Sequence, residues 1–214
     1  RNCSVRNMIF NNNTTTLYQR PPESQDAGMA GAGTGGVMID PYLSDIEFLI
    51  SNCEFSDNFI VDHDIYENLP GEQHYASNKG RALYIIPSVG NIITIDSCLF
   101  VNNRQPNHVP EWQWWQFGGR YVGSTIEVES NINPDQLRST VIFSNCEIRD
   151  NDDGGIFASG KTNVTLENVQ IINTGRFGIR VEASYSSAIA KNVLIDGVIQ
   201  QDNWFGFPDD GEWI

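Results

Sequence analysis

F-S-N-C-E-I-R-D, residues 143–150, is the stretch whose reading decides the fold. Its form is apolar-x-Asn-(Cys/Val/Met)-x-apolar-x-(Asn/Asp/Gly). The form returns at Val5 (V-R-N-M-I-F-N-N), Ile50 (I-S-N-C-E-F-S-D), Ile95 (I-D-S-C-L-F-V-N), Leu166 (L-E-N-V-Q-I-I-N) and Ala190 (A-K-N-V-L-I-D-G), with Ser97 replacing Asn in one copy. In chain order the six starts lie 45, 45, 48, 23 and 24 residues apart. One coil of a compact parallel β-helix takes roughly 20 to 30 residues. The last coils are therefore bare, and the earlier ones carry long insertions.

A second signal lies between the phrases: a Gly-containing turn followed by a short alternating strand. It reads G-G-V-M-I-D at Gly35, G-R-A-L-Y-I-I at Gly80, G-S-T-I-E-V-E at Gly123, G-G-I-F-A at Gly154 and G-I-R-V-E at Gly178. Period-two alternation turns Val37/Ile39, Leu83/Ile85, Ile126/Val128, Ile156/Ala158 and Ile179/Val181 inward. Each coil then has a first strand, a second strand that ends in the phrase's opening apolar residue, a bend at Asn, and a third strand. Asparagine suits that bend because it tolerates a left-handed backbone and its amide can bond to the next coil. The expected ladder is Asn7, Asn52, Ser97, Asn145, Asn168 and Asn192.

The chain has 214 residues, and we expect residues 1–201 to form the all-β solenoid, with about five to six coils. Residues 202–214, with Trp204, Phe205, Phe207 and Trp213, are expected as an aromatic tail or cap over the last coil. The chain opens at Arg1 inside or beside a repeat with nothing to cap the first coil. From this we expect a segment of a longer protein whose N-terminal part is missing. With 27 Asp+Glu against 13 Lys+Arg and a sequence pI near 4.4, the surface lacks the basic runs a nucleic-acid partner needs. No apolar stretch approaches the 18 or so residues of a membrane span.

Cys53, Cys98 and Cys146 occupy the phrase position that Met8, Val169 and Val193 fill in other coils. A stacked, buried, reduced cysteine is the simple reading, since a free thiol behaves as a small hydrophobe. Coil spacing of about 4.8 Å leaves a disulfide open as the alternative. Cys3 falls outside the register. Asn-x-Ser/Thr sequons stand at Asn2, Asn12, Asn13 and Asn163, and mark glycosylated positions if the source is eukaryotic and the chain secreted.

The phrases C-E-F-S-D-N at Cys53, C-L-F-V-N-N at Cys98 and C-E-I-R-D-N at Cys146, with G-G-V-M at Gly35 and G-G-I-F at Gly154, resemble the repeats of polymorphic outer membrane proteins. The stretch N-V-T-L-E-N-V-Q-I-I-N-T-G-R-F-G-I-R-V from Asn163 resembles the right-handed β-helix repeat of pectin-lyase-like proteins. Together these resemblances cover nearly the whole chain outside the insertions and imply a right-handed parallel β-helix. They do not imply one activity, because that superfamily includes polysaccharide lyases, glycoside hydrolases, epimerases, tailspikes and non-catalytic adhesins. Neither the G-H-G and R-I-K pair of polygalacturonases nor the D-P-H motif of mannuronan epimerases is present.

Candidate sites are therefore sought in the insertions, roughly 13–34, 59–79 and 104–120, and on the outer face of the first strands. All three insertions leave after the third strand, so they stack at one corner as a wall, which in pectin-lyase-like enzymes flanks a groove over the first-strand sheet. Outward positions there are Met38/Asp40, Tyr84/Ile86, Glu127/Glu129, Phe157/Ser159 and Arg180/Glu182. Two same-face residues on a strand lie roughly 6.5 to 7 Å apart, near the lower edge of the carboxylate separation used by inverting glycosidases. Glu127 and Glu129 thus form a candidate acid/base pair; the plainer reading is a solvated row of charges. Arg180 and Glu182 lie two coils further on, where an arginine can neutralise a uronate carboxylate or simply pair with a neighbouring acid.

In the third insertion, E-W-Q-W-W-Q-F at 111–117 concentrates Trp112, Trp114 and Trp115. Flat aromatic faces flanked by polar groups suit a sugar ring, and a small local core is the competing reading. Tyr84 and Phe157 belong to the same candidate ligand-binding set. Calcium is the one cofactor for which oxygen ligands cluster, at Asp57, Asp62, Asp64 and Glu67 and again at Asp150, Asp152 and Asp153, though neither has EF-hand spacing. His63, His74 and His108 fall in inserted loops and offer a remote three-His site. The combined expectation is an extracellular or cell-surface module, structural or adhesive, that meets polysaccharide, glycan or partner proteins through stacked loops. The alternatives are a carbohydrate-active enzyme, lyase or hydrolase, in the first-strand groove, and an architectural spacer.

Overall fold

In the computed structural model the described residues are 2–17, 30–33, 36–41, 43–62, 76–78, 82–104, 124–130, 137–152, 154–175, 177–181, 187–198 and 212–213. Three parallel sheets wrap a narrow apolar core. The first sheet holds β5 (Val37–Ile39), β10 (Leu83–Ile85), β13 (Ser124–Glu129), β16 (Gly154–Ser159) and β19 (Ile179–Val181). The second holds β1 (Asn2–Arg6), β6 (Glu47–Ser51), β11 (Ile92–Asp96), β14 (Ser139–Ser144), β17 (Thr162–Glu167) and β20 (Ser187–Lys191). The third holds β2 (Ile9–Asn11), β7 (Glu54–Ser56), β12 (Leu99–Val101), β15 (Glu147–Asn151), β18 (Gln170–Thr174) and β21 (Leu194–Asp196). The order of strands in each coil is the expected one. No helix among the described residues is long and apolar enough to cross a membrane.

The core follows from alternation. Leu83, Ile85, Ile126, Val128, Ile156 and Ala158 from the first sheet meet Ile93, Ile95, Val141 and Phe143 from the second and Phe55, Phe100 and Ile148 from the third, all without exposure. Stacking coil on coil makes columns: Phe10, Phe55 and Phe100 lie nearly parallel with centroids 4.9 and 4.7 Å apart. Cys53, Cys98 and Cys146 are free and buried in the phrase column. Burial pushes the Cys53 thiol up, and a hydrogen bond with Cys146 together with burial does the same for Cys98, while that same bond pulls Cys146 down, so Cys53 and Cys98 stay neutral. Cys3 is on β1, in register with Phe48, and exposed.

The corners explain the phrase. Asn7, Asn52, Ser97, Asn145, Asn168 and Asn192 all have left-handed backbones, φ between 52° and 55°. Side-chain bonds join only the later part of this ladder: Asn192 Nδ2 donates to Asn168 Oδ1 (2.7 Å), Asn168 to Asn145 (3.1 Å), and Asn145 to Asp96 Oδ1 (2.9 Å). Five residues on, Asn12, Asp57, Asn102, Asp150 and Asn173 make a second left-handed column, which Gly197 ends. The turn glycines have another cause. A Cβ at Gly36 would strike the Ala82 carbonyl oxygen, and one at Gly155 the Gly178 carbonyl oxygen, because adjacent coils touch backbone to backbone there.

Among the described residues, the first two insertions each begin and end in a short strand. β3 (Thr14–Leu17) pairs parallel with β8 (Phe59–Asp62), and β4 (Ala30–Gly33) with β9 (Ala76–Asn78), so the first two insertions stack on each other. Arg104, where the third departs, bridges to Phe59. At the other end of the chain β22 (Glu212–Trp213) pairs antiparallel with β19 and forms the edge of the first sheet.

Candidate functional site

The outer face of the first sheet carries one unbroken row, Met38, Tyr84, Glu127, Phe157 and Arg180, each in register with the next. Such positions point away from the core, so charged members are expected in water. They are not: exposure is 4% at Tyr84, 3% at Glu127, 9% at Phe157 and 2% at Arg180, against 46% at Met38. A buried carboxylate and guanidinium persist only where compensating partners surround them. The Arg180 guanidinium lies 5.6 Å from the Phe157 ring centroid, a cation–π distance.

Beside this row, Tyr84 Oη donates to Glu129 Oε2 at 2.7 Å. Burial first, then the Glu129 hydrogen bond and the charges of Glu129, Glu127 and Asp40, push the phenol well above its ordinary value. Tyr84 is therefore a permanent donor, and it fixes one carboxylate of the pair. Glu127 and Glu129 share a strand and a face, yet Glu127 is buried while Glu129 is half-buried. Two carboxylates in unlike surroundings are the raw material of acid/base chemistry.

The other expected positions are spread more widely. Trp112, Trp114, Trp115, Glu182, Asp64, Glu67, Asp153, His63, His74 and His108 lie outside the described residues. Asp57 is at the second left-handed corner, where its carboxylate accepts from Asn102 Nδ2 and, at 3.4 Å, from Asn11 Nδ2. Asp150 occupies the same column, accepting from Asn173 Nδ2 at 3.1 Å and Arg149 Nη1 at 2.7 Å, which hold its carboxyl below the usual range. Both serve corners, and among the described residues no three His, Cys, Asp or Glu side chains converge on a metal position.

The sequons are sorted by their surroundings. Asn2 and Asn12 are exposed, Asn163 Oδ1 accepts from Arg138 and Ser187, and Asn13 donates its amide to Asn58 at 2.8 Å.

Two features escaped the sequence reading. Asn13, Asn58, Asn103 and Asn151 form a column behind the second corner, with Nδ2-to-Oδ1 bonds of 2.8, 2.8 and 3.0 Å. The signal was present, since an Asn follows the phrase in each of the first four coils. Asp96 was also missed; it gathers Ser144 Oγ, Asn145 Nδ2 and Ser97 Oγ, and these hydrogen bonds, Ser144 foremost, lower its pKa.

Two hollows lie away from the Tyr84–Glu129 pair. A groove of 580 Å³ follows the first Asn corner past Glu54 and Glu147, and an apolar pit of 380 Å³ sits at the Asn2 end of the core. The groove is broad and open, and its carboxylates are already engaged, Glu54 by Ser56 and Glu147 by Arg149. Chemistry is better placed on the first sheet, where ionisable groups have been taken out of water.

Residues 1–206 match the family model of the right-handed β-helix region. No curated protein and no solved structure matches the chain. Three parallel sheets, in-register coils and this match agree: the chain belongs to the right-handed β-helix family.

Proposed function

We propose that this chain is an extracellular or cell-surface recognition module that engages a glycan, or a glycan-bearing partner, on the side where its insertions stack. The observation that carries this reading is the pairing of the first two insertions outside the core, β3 on β8 in unbroken register and β4 on β9 with one irregularity. Ordered backbone beyond the core costs conformational entropy that a mere spacer has no reason to spend. On the adjoining sheet Glu129 is the half-buried member, held by buried Tyr84, so it is the carboxylate there that a sugar hydroxyl can reach. The tryptophan-rich stretch at 111–117 supports the ligand class.

A second reading is favoured by one observation of its own. Glu127 and Glu129 stand on one strand in unlike surroundings, as a hydrolase or lyase would require. A screen of acidic and neutral polysaccharides, with and without calcium, separates the two when both binding and chain shortening are recorded. Binding without shortening, lost when Trp112, Trp114 and Trp115 become Ala, supports the module. Shortening that vanishes in Glu129→Gln replaces it with the enzyme. No binding to any polymer sinks both.

A further inference from the structure

Packing alone does not explain the column of thiols in the middle of the solenoid. Cys53, Cys98 and Cys146 fill one corner position in three consecutive coils, and in the next coil Val169 fills it with no exposure. Valine thus serves the core at this position as well as cysteine does. The sulfurs also repeat a single arrangement. Each Sγ approaches the carbonyl oxygen two residues back, at Ser51, Asp96 and Ser144 (3.3, 3.3 and 3.2 Å), and one in the coil before, at Val5, Ile50 and Ile95 (3.9, 3.9 and 3.5 Å). These are the weak bonds of a thiol, easily given up. The repetition gives the sulfurs the coil spacing of about 4.8 Å. Two of them can be reached from water, because the 580 Å³ groove along the first Asn corner is lined by Cys53 and Cys98. The net charge of −14 draws cations towards such an opening.

We propose that Cys53 and Cys98 hold one soft monovalent metal ion, copper(I) or its chemical analogue silver(I), in line between two successive coils. A metal–thiolate bond is about 2.3 Å long, so two in line span about 4.6 Å, close to the coil spacing. Thiolate ligands select soft ions. Zinc takes four ligands, and among the described residues no three His, Cys, Asp or Glu side chains converge. Calcium takes six to eight oxygens and gains nothing from sulfur. A two-coordinate soft ion asks only for the pair that is there. On binding, two S–H bonds break, their protons pass to water or buffer, and two metal–sulfur bonds form with no change of oxidation state. Cys146 does not line the groove and takes no part.

The test uses the full chain with Cys3→Ser, which removes the exposed thiol, kept free of oxygen and titrated with copper(I) against a colorimetric copper(I) chelator. We expect one ion per chain. Cys53→Val and Cys98→Val, with the side chain this corner accepts elsewhere, should each weaken binding beyond the roughly 10–100-fold that loss of a mere supporting residue costs. Cys146→Val should leave it unchanged. The metal-free variants should melt near the parent, and copper(I) should raise the melting temperature of the parent but not of Cys98→Val. X-ray absorption at the copper edge needs no variant beyond Cys3→Ser and should show two sulfur neighbours at about 2.3 Å. Nitrogen or oxygen neighbours, or no ion bound by the folded chain, overturn the proposal. So does full binding in Cys53→Val, which would move the ion to Cys98 and Cys146. An equal, partial loss in all three valine variants overturns it as well, since the thiols would then be reacting singly.

Discussion

Asn103 shows how one residue type does two jobs in adjacent positions. Its neighbour Asn102 turns the chain with φ 56° and stays near solvent, while Asn103 is fully buried and hydrogen-bonded on both sides. Its Oδ1 accepts the Asn58 amide and backbone N–H (2.8 and 3.2 Å), and its Nδ2 donates to Asn151 Oδ1 and the Phe55 carbonyl (both 3.0 Å). Asn103→Leu keeps the volume but orphans several buried partners, each costing about 1–3 kcal/mol. We expect a loss of about 3 kcal/mol or more by thermal or denaturant melting, whereas Asn13→Leu at the exposed end of the column should cost under about 1 kcal/mol. Similar losses at the two sites would refute the column as a buried network. The first left-handed corner, from Asn7 to Asn192, was legible in the sequence because Asn recurs there and few residues accept that backbone, whereas the second corner at Asn102 was not read as one. The buried column was not separated from it, since two consecutive Asn look alike until one knows which way each side chain points.

At the scale of elements, the first sheet was the part whose alternation was plain and whose surroundings were not. Its inward residues are where period two places them, as the burial of Leu83, Ile85, Ile126 and Val128 shows. The outward row was legible as a row, but nothing in a local pattern tells whether an outer face meets water, because that depends on chain segments distant in sequence. Titration makes this burial measurable. The Tyr84 phenol is raised in the folded chain, so its share of stability is complete below the unfolded value near pH 10 and lost as pH rises beyond it. Asp96 is lowered, so its share is present above about pH 4 and lost as pH falls further. Melting temperature against pH should thus show an alkaline limb that Tyr84→Phe reduces and an acid limb that Asp96→Asn reduces, each without touching the other. An alkaline limb of the same size in Tyr84→Phe would mean that Tyr84 is not held out of water.

For the whole molecule, stability is nearly one-dimensional, because each coil rests only on its neighbours and the sheets have no closure except along the stack. A defect in a middle coil therefore severs two short stacks, while the same change on an outer face does little. Ile148 is the sharpest place to test this: it is fully buried, between Phe100 on one coil and Ile171 on the next, in the bare part of the solenoid where no insertion can yield to relieve it. Ile148→Asp places a carboxylate there without a partner, at an effective cost of several kcal/mol, comparable to the 5–15 kcal/mol that holds a typical domain together. We expect melting to fall by about 10 °C or more, or folding to fail, whereas Ile189→Asp, at a position 64% exposed on the second sheet, should shift it by no more than a degree or two. If both variants melt as the parent does, the inward register of the third sheet is wrong, and with it the alignment of all six phrases from which the coil stack follows.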